Sequence, residues 1–239
     1  MIICYNFIKE EFGGAIMRKK IIGVMGLVMV LGAISPLSAY ANENTCIESE
    51  WNTIEEEKFD ILIDEIISIK NDNPGFTDEQ LFTIINKQIS ESRMEKGIID
   101  IWNSLTESEK KLCIRYPFDA LKVNTARNIA TEQTQTKFGY SGLGDRSDAF
   151  RHGIWNAEMS ILIGSEKAEL FATAHEDKDV SGNESDGFPK TAHKEMDLHN
   201  NEVGRQMGEE HREVSEDELA DIIYSDIYSE STQFVWLHE

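Results

Sequence analysis

The chain carries the stretch DAFRHGIWN at residues 148–156, and this stretch predicts a helix with one polar face. Asp148, His152 and Asn156 recur at every fourth position, so on a helix they lie one above another. A carboxylate one turn before a histidine can orient the imidazole, as happens at metal ligands and general bases. The competing interpretation is an ordinary Asp–His pair on a helix surface.

Helical periodicity extends outward from this stretch through most of the chain, which predicts an all-α fold. Thr77 with Gln80, and Thr106 with Glu109, have the spacing of capping boxes and mark two helix starts. The sequence shows no alternating strand pattern of useful length and no internal repeat. We therefore expect a multi-helix domain with a two-helix N-terminal extension.

Residues 1–41 have the three parts of a secretory signal peptide. A basic cluster at residues 18–20 precedes an apolar run at residues 21–34, and Ala39-Tyr40-Ala41 has the small residues that cleavage requires. Met17 directly precedes the basic cluster and is an alternative start. A membrane anchor is the competing interpretation, but the run is shorter than the roughly 20 residues that span a bilayer. The pattern predicts a secreted or cell-envelope-associated protein.

The remainder is predicted to divide into a helical N-terminal extension at residues 42–97 and a motif-bearing helical domain at residues 98–239. The extension contains amphipathic helices without candidate catalytic residues, whereas five of the six histidines lie between residues 100 and 212. Cys46 and Cys113 could form one disulfide or remain two thiols, because the sequence does not give their separation.

The formal net charge of −21 narrows the partners that the chain can bind. A surface this acidic repels nucleic acid and anionic lipid unless a cation intervenes, so we expect no direct nucleic-acid groove. The same charge favours solubility and the binding of divalent ions. A component of the cell envelope is a candidate partner.

A second polar segment, AHE at residues 174–176, follows at the predicted end of the next helix. His175 and Glu176 would supply one neutral nitrogen and one carboxylate, which both suit a divalent ion. The alternative is that a charged His175 only stabilises the helix C-terminus.

A third polar segment, MDLHNNEVGR, occupies residues 196–205. On a helix, Asp197, Asn201 and Arg205 share one face. Two successive asparagines are unfavourable in a helix interior, so another interaction must offset their cost. We expect either a satisfied polar network or a functional site at this face.

Taken together, the three segments predict one buried polar site, which either binds a divalent metal or contains no cofactor. The predicted metal ligands are His152, His175 and Asp197, and zinc is the preferred ion. Calcium is the second choice. The loop at residues 177–182 resembles the first half of a calcium loop but has Phe188 where a glutamate is needed.

The predicted function is a secreted, metal-assisted hydrolase that acts on a phosphodiester or phospholipid-like substrate. Glu176 would be the general base toward a metal-bound water, and Asp148 would orient His152. Arg151 or Arg205 would hold an anionic substrate group. The alternative function is a non-enzymatic exported domain that binds the cell wall or a partner, with the same polar residues forming a structural network.

The order of the motifs WNSLTESEK, DAFRHGIWN, AHE and MDLHNNEVGR resembles an uncharacterised domain family of exported bacterial proteins. Members of that family also occur in toxin-like and wall-associated chains. The resemblance covers about residues 100–210 and supplies no mechanism. The helical design with histidines and aspartates is also distantly similar to zinc-dependent phospholipases C, although this chain lacks the N-terminal Trp ligand of that group.

Overall fold

The computed structural model describes the backbone of residues 43–91 and 94–239, and the side chains of residues 57–91 and 94–239. The predicted signal peptide lies outside the described residues. Within them the all-α prediction is confirmed, because they form nine helices and no strand. The helices are α1 Glu43–Asp72, α2 Asp78–Ser90, α3 Lys96–Ser104, α4 Glu107–Arg115, α5 Pro117–Phe138, α6 Arg146–Ile163, α7 Ser165–His175, α8 Lys190–Glu210 and α9 Glu216–Ile227.

Local capping chemistry sets most of these boundaries. Thr77 and Thr106 both form the predicted reciprocal capping boxes. The Asp145 side chain caps α6, because its Oδ1 accepts from the backbone N–H groups of Ser147 and Asp148. Helix α8 begins at Lys190, and Pro189 occupies its N-cap position with extended backbone angles.

Helices α1 to α4 pack with α5 and α7 around an apolar core of leucine, isoleucine, phenylalanine and tryptophan side chains. Leu62 and Ile63 of α1 and Trp102 of α3 are fully buried in it. The Trp102 indole N–H donates to Asn86 of α2 at 2.9 Å, so its one polar atom is satisfied. The predicted boundary between residues 97 and 98 stays a prediction, and helices on both sides of it share this core.

Helices α6 and α8 lie side by side and run parallel, since residue numbers rise together across their contacts. Two glycines of α8 permit the close approach. A Cβ atom added at Gly204 would overlap the carbonyl oxygen of Gly153, and one at Gly208 would overlap that of Ala157. Side chains on the flanking face of each helix therefore meet at short range.

Among the described residues, no helix is both long enough and apolar enough to cross a bilayer. Cys113 is a free, buried thiol. Burial first, and the nearby Glu109 carboxylate second, raise its pKa to about 12, so the thiol is chemically inert at neutral pH.

Candidate metal centre

Because α6 and α8 are parallel, the polar face of one helix packs against the polar face of the other in the protein interior. We call this set the polar ladder, and it consists of Asp148, His152 and Asn156 from α6 with Asp197, Asn201 and Arg205 from α8. Asn201 Oδ1 accepts from Asn156 Nδ2 at 2.6 Å, and Arg205 Nη1 donates to Asn156 Oδ1 at 3.2 Å. The four-residue spacing of both stripes matches one helical turn, so the parallel arrangement keeps them in register.

Asn201 sets the tautomer of His152. Its amide oxygen lies 3.0 Å from His152 Nδ1, and an amide oxygen can only accept. The proton of a neutral His152 therefore sits on Nδ1, which leaves a lone pair on Nε2. This is the arrangement by which a neighbouring side chain orients a histidine toward a metal ion.

The lone pair of His152 Nε2 faces two carboxylates. Asp148 Oδ1 lies 3.6 Å from Nε2, and Asp197 Oδ1 lies 3.4 Å from it. The three ligand atoms all lie within 4.8 Å of one another. Asp197 Oδ1 is buried without a hydrogen-bond partner. Three acceptors that converge in a buried space need a proton or a cation between them.

Burial dominates the electrostatics of the Asp148–His152–Asp197 triad. Burial lowers the pKa of His152 well below its usual value, with the Arg151 charge as the second cause. Burial also raises the pKa of Asp197 to about 8, and the charges of Asp148 and Glu176 add to that rise. Without a cation, the triad relieves its repulsion by holding a proton on Asp197.

The triad could hold a metal ion, and its spacing fits one. Ligand atoms at about 2.1 Å from zinc and at tetrahedral angles lie roughly 3.4 Å apart. The two separations at His152 Nε2, 3.4 and 3.6 Å, are close to that value. Three protein ligands would also leave a coordination position for water.

Asp148 is held in place by two further groups. The backbone N–H of Gly144 donates to its Oδ2 at 2.7 Å, and the Arg151 guanidinium contacts its Oδ1. Oδ1 is also the oxygen that faces His152. Arg151 thus occupies part of the space that a cation at the triad would take.

His175, a predicted ligand, lies in the same cavity as the triad, but both of its ring nitrogens have protein partners. Nδ1 lies 2.9 Å from Glu109 Oε1, and Lys178 Nζ lies 3.0 Å from Nε2. Burial opposes ionisation of Glu109, yet its hydrogen bond to His175 contributes to a lowered pKa. The ring also packs edge-on against Trp155. The prediction that His175 binds metal remains untested.

The triad opens into a cavity of about 190 Å³, which we call the polar cavity. Glu176 is buried in its wall, and Glu176 Oε1 has no hydrogen-bond partner. Four basic side chains also line it, namely Arg151, Lys178, Lys190 and Lys194. The lining also has five carboxylates, so a bound divalent ion would change the formal charge of the site from −1 to +1. The chain as a whole has 44 acidic and only 23 basic residues.

Arg205 does not line the polar cavity. It lies behind Asn156 and pairs with Glu202, so the structure separates it from Arg151. The loop considered for calcium uses its oxygens locally, since Asp179 accepts from both the backbone N–H and the hydroxyl of Ser181.

Sequence reasoning did not single out three residues that shape this site. Lys178 contacts His175, Gly144 anchors Asp148, and His193 lines the polar cavity. His193 Nε2 lies 2.9 Å from Asp186, while its Nδ1 is buried without a partner. The one available signal was the position of His193 one turn before Asp197 on α8.

The family described as "Domain of unknown function (DUF6973)" matches residues 110–231, slightly more than half of the chain. The protein belongs to this family, and the matched region contains the whole polar ladder together with Glu176. No curated protein matches the chain. No solved structure matches it either.

Proposed function

We propose that the protein is an exported, metal-assisted hydrolase that acts on a phosphodiester or phospholipid-like substrate. The observation that supports this best is the convergence of His152 Nε2, Asp148 and Asp197 at metal-ligand spacing in a buried wall. Zinc suits one imidazole and two carboxylates at these separations better than calcium, which takes six to eight oxygen ligands.

In this proposal Asp148 is a ligand and not only the group that orients His152. Asn201 takes the orienting role, because it holds the other ring nitrogen. A bound divalent ion lowers the pKa of its water toward 7 and so supplies a nucleophile at neutral pH. Glu176 lines the same cavity, and its buried Oε1 has no hydrogen-bond partner, so it would be the general base toward such a water.

The basic residues of the polar cavity favour an anionic substrate. Arg151 now pairs with Asp148, and if Asp148 bound a cation instead, the guanidinium would be available for a phosphate oxygen. Lys178, Lys190 and Lys194 add positive charge around the same space. Arg151 is therefore the proposed anion-binding arginine in preference to Arg205.

The site of action follows from the sequence pattern and is part of the proposal. The signal-like segment at residues 1–41 supports export to the cell envelope or beyond it. A resemblance to exported bacterial proteins supports the same location.

A second candidate function is a non-enzymatic exported domain that binds the cell wall or a partner. It is favoured by the lower half of the polar ladder, where Asn156, Asn201 and Arg205 satisfy one another by hydrogen bonds. In that case the ladder stabilises the packing of α6 on α8 and needs no metal ion.

Elemental analysis of protein purified without chelator separates the two candidates. We expect about one zinc per chain in the parent, and loss of zinc in His152→Ala and Asp197→Asn. His199→Ala, on the same helix as Asp197 but exposed, is the matched control and should keep the metal. Hydrolysis of bis(4-nitrophenyl) phosphate should stop when zinc is chelated. A metal-free and inactive parent would instead favour the binding domain.

A further inference from the structure

A second cavity, of about 310 Å³, lies beside the polar cavity and differs from it in chemistry. We call it the apolar chamber. Helices α1, α4, α5, α6 and α7 all contribute to its wall. Most of the exposed wall surface is apolar, and it includes the side chains of Phe59, Leu105, Val123, Trp155 and Phe171. A ligand that covers this apolar wall surface would gain a hydrophobic driving force.

The apolar chamber and the polar cavity share part of their walls. Arg151, His152, His175 and Lys178 line both. His152 belongs to the triad, and Arg151 contacts Asp148. A molecule that occupied both spaces would therefore have its anionic group at the triad and its apolar group between α1, α5 and α7.

We infer that the apolar chamber binds a hydrocarbon chain attached to the phosphate group, so that the substrate class is an alkyl- or acyl-bearing phosphate ester. The inference rests on the proposed function for the position of the phosphate. A chain is favoured over a sugar because most of the exposed wall surface is apolar, and hydroxyls placed against that surface would lose their hydrogen bonds to water. The shared basic residues and the adjoining apolar wall match an amphiphilic anion.

Binding of non-hydrolysable alkylphosphonates to the purified zinc-loaded protein tests the inference by calorimetry. Butyl-, hexyl- and octylphosphonate are compared with inorganic phosphate. Each methylene that enters the chamber should tighten binding about fourfold until the chamber is filled. Equal affinities along the series would overturn the inference. Tighter binding of phenylphosphonate than of hexylphosphonate would also overturn it, because the chamber would then select an aromatic group.

Two variants of α5 test whether the dependence of affinity on chain length arises in the apolar chamber. Val123→Trp on α5 fills the apolar chamber from its wall and should abolish the dependence on chain length, while phosphate affinity stays unchanged. Thr125→Trp is the matched control, because Thr125 is exposed on the same helix outside the chamber. A melting curve checks that both variants fold, and Val123→Phe replaces Val123→Trp if the larger ring prevents folding. An unchanged chain-length dependence in the folded Val123 variant would contradict the inference.

The experiments test the apolar chamber as a binding site and the proposed hydrolase function independently of each other. A flat phosphonate series in a protein that hydrolyses phosphodiesters would remove the chamber as a subsite and leave the hydrolase intact. A graded series in a protein without any hydrolysis would retain the chamber as a binding site and remove the proposed function.

Discussion

The two ends of this fold achieve helix packing in opposite ways. Helices α1 to α4 bury branched apolar side chains around Trp102, and nearly all of their described polar side chains, from residue 57 onward, lie at the surface. Helices α6 and α8 approach through glycines and bury carboxylates, amides, a histidine and an arginine between them. The first arrangement contributes stability from apolar area. The second arrangement is stabilised less by apolar burial, because it buries polar groups, but it holds ionisable groups at fixed separations.

This difference identifies the region in which substitution should change chemistry and not only stability. An apolar core tolerates changes that conserve volume, because its energy depends on area and packing. A buried polar ladder does not, because each group left without its partner costs about 1–3 kcal/mol. The following predictions compare the two regions, and they begin with the largest expected effect.

Glu176→Gln should lower turnover by about 10²–10⁴ and leave folding and zinc content unchanged, because the amide keeps the shape but cannot accept the proton. Assays of the variant and the parent at saturating bis(4-nitrophenyl) phosphate, with a melting curve for each, measure both quantities. A fully active Glu176→Gln protein would exclude Glu176 as the base.

Ile63→Ala, in the apolar core, should lower the free energy of unfolding by about 2–5 kcal/mol, because it leaves a cavity at a fully buried site. Zinc content per folded chain should not change, since Ile63 does not line the polar cavity. Urea unfolding and elemental analysis measure the two effects. Loss of zinc in the folded variant would show that the two regions are coupled.

Gly204→Ala should lower the free energy of unfolding by about 1–3 kcal/mol and also weaken zinc binding, because the added methyl pushes α8 away from Gly153. Gly75→Ala is the control, since a Cβ there meets no atom within 4 Å. Thermal melts and zinc titrations of both variants give the comparison. Unchanged zinc affinity in Gly204→Ala would mean that the triad does not depend on the close approach.

Glu158 on α6 predicts a pH dependence of stability. Burial, and secondly the Glu216 charge, raise its pKa from 4.5 to about 7. Between these values the unfolded chain releases the proton while the folded chain retains it, so this group makes stability fall as pH rises. Glu158→Gln should reduce the loss of stability between pH 5 and pH 8 by about 1–3 kcal/mol. Melting curves of the parent and of Glu158→Gln between pH 5 and pH 8 measure this difference. Glu132→Gln, at an exposed position, is the control and should behave as the parent does.

The sequence predicted the parts of the fold that depend on neighbouring residues. Capping at Thr77 and Thr106 involves residues three positions apart, and the polar faces of α6 and α8 follow from helical spacing alone. The pairing of the two faces did not follow, because it depends on a parallel approach that only Gly204 and Gly208, one turn apart, could have indicated.

Contacts between segments that are distant in the sequence could not be predicted either, because they depend on the three-dimensional packing of the helices. His175 reaches Glu109 across 66 positions, and no local pattern links them. The sequence therefore identified most groups of the candidate site but could not say which of them engage one another. The role of Asn201 at His152 Nδ1 needed the three-dimensional arrangement as well.

The parallel pairing of α6 with α8 also bears on how the chain folds. The hydrogen bonds of the polar ladder join residues 45 to 49 positions apart, with α7 and a long loop between them. Closing that loop costs entropy before any ladder contact forms, so we expect the ladder to assemble after the rate-limiting step. Substitutions in it should then speed unfolding and leave the refolding rate nearly unchanged. The candidate metal centre would thus govern how long the folded state lasts more than how fast it forms.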